Sequence, residues 1–180
     1  MLEQIKTANH ELILVDEQLV LRSVTETEAG EFFSLTDHNR EYLAEFLPWV
    51  DRTLSVQDSL NFIKQVKEQR LEGSQYGFVI YYNNELVGHI SLMHITDEAS
   101  PEIGYWIAKD SSGRGVTTKA TEAVQNFGFD IVKLNEIVIK ARIENNASNA
   151  IAKKLGYTLQ SVDQREDETL NIWRRTNEQQ

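Results

Sequence analysis

The stretch Glu102-Ile-Gly-Tyr-Trp-Ile-Ala-Lys-Asp-Ser-Ser-Gly-Arg-Gly-Val-Thr-Thr-Lys-Ala-Thr-Glu-Ala123 decides the fold. It reads as an apolar strand over residues 103–108, a polar turn holding Gly113 and Gly115, and an amphipathic helix from about 113 to 131. Val116, Ala120, Ala123, Val124 and Phe127 share one face of that helix. A strand feeding a glycine-flanked helix start presents unpaired backbone N–H groups and the positive end of the helix dipole, a combination that favours a phosphate. The glycines let a ligand approach the backbone closely, and Arg114 and Lys119 add positive charge beside it.

Working outward, residues 136–142 form a strand rich in β-branched side chains, so 103–141 is expected to be a right-handed parallel crossover. Residues 147–155 make a short helix capped by Asn145 or Asn146 and stopped by Gly156, and 158–173 close as a hairpin about Glu166-Asp167-Glu168. Upstream, 76–82 and 86–93 read as a hairpin around Asn83-Asn84. Two short strands, 11–15 and 18–24, turn at Asp16-Glu17. Thr25-Glu-Thr-Glu28 is patterned as a capping box for a helix with Phe32, Phe33 and Leu35 on its apolar side, and a further helical stretch runs to about 46, where Leu47-Pro48-Trp49-Val50 interrupts it. Ser55 caps a third helix to about 70, with Leu60, Ile63, Val66 and Lys67 at helical spacing. The mixed order predicts an α+β fold on one central sheet, with ligands beyond the carboxyl ends of its parallel strands.

The 180 residues are 41% hydrophobic and 26% charged and carry no internal repeat, so one domain spanning 1–180 is expected. The opening Met1-Leu-Glu-Gln-Ile-Lys lacks a basic segment followed by an apolar run, and no stretch approaches the roughly 20 apolar residues that span a bilayer. Without cysteine there is no disulfide and no thiol nucleophile, which with the missing membrane signals predicts a cytoplasmic protein. A formal net charge of −10 argues against nucleic acid as a partner. It suits a cationic acceptor such as an amine or basic peptide, or else serves solubility alone. No His, Asp and Glu set has metal-ligand spacing, so no metal is expected.

Two phosphate motifs fail: the spacing around Gly113 and Gly115 is not that of a P-loop, and the third glycine of a dinucleotide fingerprint is missing. The stretch 102–107 followed by Gly113-Arg-Gly-Val-Thr-Thr-Lys-Ala120 resembles the acetyl-CoA-binding motif of the GNAT N-acetyltransferase superfamily. Within it, the chain is most similar to the branch of ribosomal-protein N-terminal acetyltransferases, the RimJ/RimL type. Asn145-Asn-Ala-Ser-Asn-Ala-Ile-Ala-Lys-Lys-Leu-Gly-Tyr157 is similar to the superfamily's C-terminal motif, Leu47-Pro-Trp-Val-Asp51 to that branch's substrate-side helix pair, and Leu19-Val-Leu-Arg22 to its opening strand. Ser112 stands where the superfamily usually has Gln or Arg, and Thr117 where it closes with Gly or Ala. Ala152 occupies the place at which many members carry a tyrosine general acid, and Tyr157 takes an apolar position expected to pack.

The resemblance implies a mixed, mostly antiparallel sheet with a splayed parallel strand pair flanked by helices. It also implies acetyl-CoA as co-substrate, direct transfer to an amine acceptor such as a protein N-terminus, and a homodimer. Acetyl transfer from a thioester needs a neutral amine, support for a tetrahedral oxyanion and a proton for the departing thiolate. The pyrophosphate is expected on the turn of Ser112, Gly113, Arg114, Gly115, Val116, Thr117 and Thr118. The pantetheine arm would follow Trp106, Ile107 and Ala108, with a free N–H near Trp106 or Ile107 as oxyanion donor. Glu102 is the expected base, against a solvated carboxylate at a strand edge. Ser148 is the expected acid, against a cap or packing contact, and Asn145 the expected partner of pantetheine or a catalytic water, against capping alone. Trp49, with Phe46, Leu47 and Asp51, would wall the acceptor site, against a core aromatic beside Pro48, and His89 and His94 lie in a strand expected to face the cleft, against structural histidines. Tyr105 and Trp106 point to opposite faces, one to the core and one to the cleft. The competing readings are a polyamine acetyltransferase, a non-catalytic acyl-CoA-binding domain and a nucleotide-binding module.

Overall fold

The computed structural model describes residues 11–179; the opening Met1 to Lys6 lies outside them. Its strands are β1 (Leu12–Leu14), β2 (Leu19–Arg22), β3 (Tyr76–Tyr82), β4 (Glu85–Met93), β5 (Glu102–Ile107), β6 (Glu136–Arg142), β7 (Thr158–Gln164) and β8 (Thr169–Thr176). The α-helices are α1 (Ala29–His38), α2 (Arg40–Ala44), α3 (Val56–Glu72), α4 (Val116–Asp130) and α5 (Asn146–Lys154). The strands form one sheet in the order β1-β2-β3-β4-β5-β6-β8-β7. Neighbours are antiparallel except β5 and β6, which are parallel and paired only at Glu102 and Val138.

Alternation along the strands divides the core in two. Phe78 and Ile80 of β3 join Ile90, Leu92, Ile103, Ile137 and Ile139 beneath α4 and α5, whose Val116, Ala120, Val124, Phe127 and Ala152 complete that cluster. Val79 and Trp106 face the other way, onto Phe32 of α1, Leu43 of α2 and Ile63 of α3. All five residues expected on the apolar face of α4 are buried there. Burying a Val or Phe side chain is worth roughly 1.5–3 kcal/mol, so this face alone secures the helix against the sheet.

Local chemistry sets the boundaries. Asn83 and Asn84 take φ of 51° and 65°, the left-handed pair of a tight hairpin turn. Thr25 donates its N–H to Glu28 at 2.8 Å, as the capping-box pattern predicts. Glu28 also receives Arg22 and Tyr81 at 2.5 Å each, which holds its carboxyl down at about 2 despite partial burial. The glycine-flanked helix begins at Val116, three residues later than the pattern suggested. Gly113 and Gly115 have φ of 74° and 78°, which a right-handed helix cannot include. The two upstream helices divide at Asn39, whose side chain donates to Leu35 C=O at 2.9 Å and accepts Lys109 N–H at 2.9 Å. Residues 48–52 make a 3-10 turn between α2 and α3. Among the described residues no helix is long and apolar enough to cross a membrane.

Candidate active site

Beyond the single Glu102–Val138 pair, β5 and β6 part toward the carboxyl end of β5. Ala108 donates its N–H to Val87 C=O at 2.7 Å. In antiparallel register the even-numbered residues of β5 therefore bond β4, and Tyr105 and Ile107 turn their N–H groups into the gap. Of the two expected oxyanion donors, Ile107 faces the gap and Trp106 does not. Directly after β5, Gly113 and Gly115 curl the chain so that the first amides of α4 are left without intrahelical acceptors. The first such bond runs from Lys119 N–H to Gly115 C=O. A Cβ at either glycine would meet nothing within 4 Å, so their requirement is conformational, and the concave run of N–H groups they create faces open space.

A cavity of about 590 Å³ joins these features. Trp106, Ile107, Ser112, Gly113, Gly115, Val116, Thr117, Thr118, Asn145 and Ser148, all expected at the site, line it together with Phe46 and Leu47. The sequence reading missed Tyr42, Glu45, Glu144, Asn146 and Lys154, and it left open which face Tyr105 takes; all six are on the wall. Tyr42 donates a hydrogen bond to Ser112 Oγ at 3.3 Å, tying α2 to the glycine turn. That contact gives the serine at this position a partner no spacing pattern contained.

On the α5 side, Asn145 Oδ1 accepts Ser148 N–H at 3.1 Å and caps the helix. Its side-chain oxygen is thus committed to the backbone, although the residue lines the cavity. The hydroxyl of Ser148 makes no cap. Ser148 Oγ lies 2.8 Å from Tyr105 Oη, and both side chains reach the cavity. Burial pushes the Tyr105 phenol up to about 12, with the Ser148 hydrogen bond acting weakly in the other direction. Asn149 anchors the helix from behind. Its amide donates to Arg142 C=O at 2.9 Å and Asn145 C=O at 2.8 Å, and accepts from Asn171 at 2.9 Å and Trp173 Nε1 at 2.8 Å.

Several expected site residues stand elsewhere. His89 points from β4 toward the α1–α3 face, where Phe32 and Phe62 close over it at 5.8 and 5.4 Å between ring centroids. It is fully buried, away from the cavity, and burial drives its imidazole down to about 3. His94 lies past the end of β4 in a left-handed conformation, φ 58°. Trp49 does not line the cavity; its ring sits 6.0 Å from that of Trp106, so it backs the wall rather than forming it. Ala108 and Arg114 are off the wall as well; Ala108 gives its N–H to β4, and the side chain of Arg114 is exposed to solvent. Lys119 turns away to Asp16 at 2.6 Å, and Lys154 is the lysine on the wall. Glu102 sits at the closed end of the β5–β6 gap, 2.8 Å from Lys140 Nζ and 3.5 Å from His94 Nδ1. It shares the sheet face of Trp106 but is not on the cavity wall. Among the described residues no group of three His, Asp or Glu is placed to hold a metal ion.

The model of the acetyltransferase (GNAT) domain family matches residues 18–158. The ribosomal-protein-serine acetyltransferase of Escherichia coli (strain K12) is 29% identical over 151 residues, 83% of this chain and 84% of that protein. The putative ribosomal N-acetyltransferase YdaF of Bacillus subtilis (strain 168) is 29% identical over 150 residues, 79% of each. Among solved structures, the RimL ribosomal L7/L12 alpha-N-protein acetyltransferase in complex with coenzyme A superposes with a TM-score of 0.88 at 24% identity, over 92% of this chain and 98% of that one. The microcin C7 self-immunity acetyltransferase MccE, solved with acetyl-CoA and AMP, gives 0.84 at 25% identity, over 91% and 95%.

Proposed function

The chain belongs to the acetyltransferase (GNAT) domain family, and from that premise we propose that it acetylates the N-terminal α-amine of a protein, with ribosomal proteins as the acceptor class. It is an acetyl-CoA-dependent N-acetyltransferase. The observation that carries the reading is the single cavity joining the glycine-turn amides to the β5–β6 gap and to Ser148. Backbone N–H groups of Gly113 to Thr118 hold the pyrophosphate. Tyr105 and Ile107 face the pantetheine arm, and Ile107 N–H supports the oxyanion. Ser148 supplies the proton for the departing thiolate. Glu102, beside Lys140 and His94 on the Trp106 face, draws the proton from the incoming ammonium through water. Tyr42, Phe46 and Leu47 wall the acceptor end.

The acceptor follows from the relatives: the Escherichia coli protein is named for ribosomal-protein serine, and RimL for the α-amine of L7/L12. The experiment is calorimetric titration with acetyl-CoA, ATP as control, followed by thiol release with peptides beginning Ser or Ala against a polyamine. Selective acetyl-CoA binding and peptide-dependent release support the reading, whereas polyamine turnover without peptide turnover moves the acceptor to small amines. Ser148→Ala and Glu102→Gln should each lower kcat at least 10-fold at nearly unchanged acetyl-CoA affinity, since general acid and base groups contribute roughly 100- to 10,000-fold. Unchanged turnover in both removes these roles. A cytoplasmic setting and one catalytic domain belong to the same reading; a homodimer rests on the resemblance, and sedimentation tests it.

A further inference from the structure

We propose that Tyr105 is a positioning residue for Ser148: its phenol donates to the serine Oγ and thereby turns the serine's own proton toward the cavity, where the thioester sulfur leaves. The proposal rests on acetyl transfer with Ser148 as proton donor, and adds a residue from a different element to that chemistry.

Two hydroxyls 2.8 Å apart must share one proton between them, and which of them donates decides what Ser148 can do. The phenol is the more acidic group, so the favoured polarity is Tyr105 O–H to Ser148 Oγ. Tyr105 is packed against the apolar cluster under α4 and α5, and burial keeps its proton in place at neutral pH. It is therefore a fixed donor and not an acid that empties during turnover. A serine inside a helix commonly returns its hydroxyl to a carbonyl one turn back. Here Oγ instead meets Tyr105 Oη, while the capping of the helix start is left to Asn145. With Oγ accepting from Tyr105, the serine proton is left for a third group, and the cavity that both residues line offers room for one.

The step balances without an added reactant. The acceptor nitrogen forms a bond to the thioester carbonyl carbon, and the carbon–sulfur bond breaks. Ser148 Oγ gives its proton to sulfur and regains one from the nitrogen, directly or through water. Tyr105 keeps its proton throughout, and its hydrogen bond stabilises the negative charge that builds on Oγ between the two transfers. A hydrogen bond to a charged group is stronger than one to a neutral group, so the contribution appears in kcat.

A double-mutant cycle tests this on the whole chain, with whichever amine the wild type turns over. Tyr105→Phe keeps the ring and removes only the hydroxyl. It should lower kcat roughly 10-fold, with the KM for acetyl-CoA within about twofold and the circular-dichroism melt essentially unchanged. In a Ser148→Ala background the same change should cost nothing, because the group Tyr105 acts through is gone. Equal losses in both backgrounds, an unchanged kcat, or a change confined to KM would each overturn the proposal while leaving the acetyltransferase reading in place. Wild-type protein that releases no thiol with any amine would overturn the acetyl-transfer reading itself, and this proposal with it.

Discussion

Asn149 uses every group its amide has: two donated bonds to the carbonyls of Arg142 and Asn145, and two accepted at Oδ1 from Asn171 and Trp173. It is buried, so removing it strands donors and acceptors that water cannot reach, at about 1–3 kcal/mol for each group left unsatisfied. Asn149→Leu is accordingly expected to lower stability by about 3 kcal/mol in urea titration. It should also raise the KM for acetyl-CoA, because the start of α5 loses its tether to β6 and β8. A wild-type urea midpoint would show that the network is not needed. Sequence alone flagged Asn145 through helix-start chemistry, which is local and therefore legible, and Ser148 through its place one turn inside that helix, four residues before Ala152. The Tyr105–Ser148 bond joins residues 43 apart, and nothing in the spacing of either segment announces it. The same limit misplaced His89: alternation along β4 was readable, but which face α1 and α3 would cover was not.

β5 is the element on which the site depends, and β4 determines how it lies. Gly88 pairs with Ile107, and a Cβ there would meet Trp106 carbonyl oxygen at 2.2 Å and Ile107 Cα at 3.0 Å. Both are backbone atoms, so a methyl group cannot be absorbed by a rotamer change. Gly88→Ala must push the end of β5 aside, at the position where its N–H groups turn into the gap. Overpacking of this kind costs about 1–3 kcal/mol. Calorimetric melting should show that loss, with a fall in kcat greater than the change in acetyl-CoA KM, since the oxyanion donor moves more than the glycine turn. A variant equal to wild type in both would mean that β4 does not fix β5. Elements whose chemistry is written in neighbouring residues were legible almost to the residue, including the Asn83-Asn84 hairpin, the 136–142 strand and the apolar face of α4. Two helices were legible before Ser55, but the place where they divide, Asn39, was not, because it is held by a bond to Lys109 on the far side of the site. The splay of β5 from β6 entered only through family resemblance, and no periodicity in either strand encodes it.

For the whole molecule, the response to acid separates two opposing effects. With a formal net charge of −10 at pH 7 and a sequence pI near 4.9, acidification relieves self-repulsion and on that ground should stabilise the fold. Two titrating groups work against it. His89, enclosed by Phe32 and Phe62 with Arg70 as the charge acting on it, has its folded pKa lowered from 6.5 to about 3. A lowered folded pKa means that the unfolded chain binds the proton first. The stability held by neutral His89 is therefore complete above pH 6.5 and is lost progressively as pH falls toward 3. Between pH 6.5 and 4.5 that loss amounts to about 2 kcal/mol, a substantial share of a typical domain's stability and larger than relief of dispersed surface repulsion is expected to supply. Glu28, lowered from 4.5 to about 2 by Arg22 and Tyr81, adds a second loss that begins only below pH 4.5. Unfolding free energy from urea titration should thus fall between pH 7 and 4.5 even as net charge approaches zero. His89→Gln should flatten that slope while leaving the steeper decline below pH 4.5. Wild-type stability that stays level or rises over the upper interval would mean that His89 takes up its proton without unfolding, and that the aromatic enclosure over β4 opens to water.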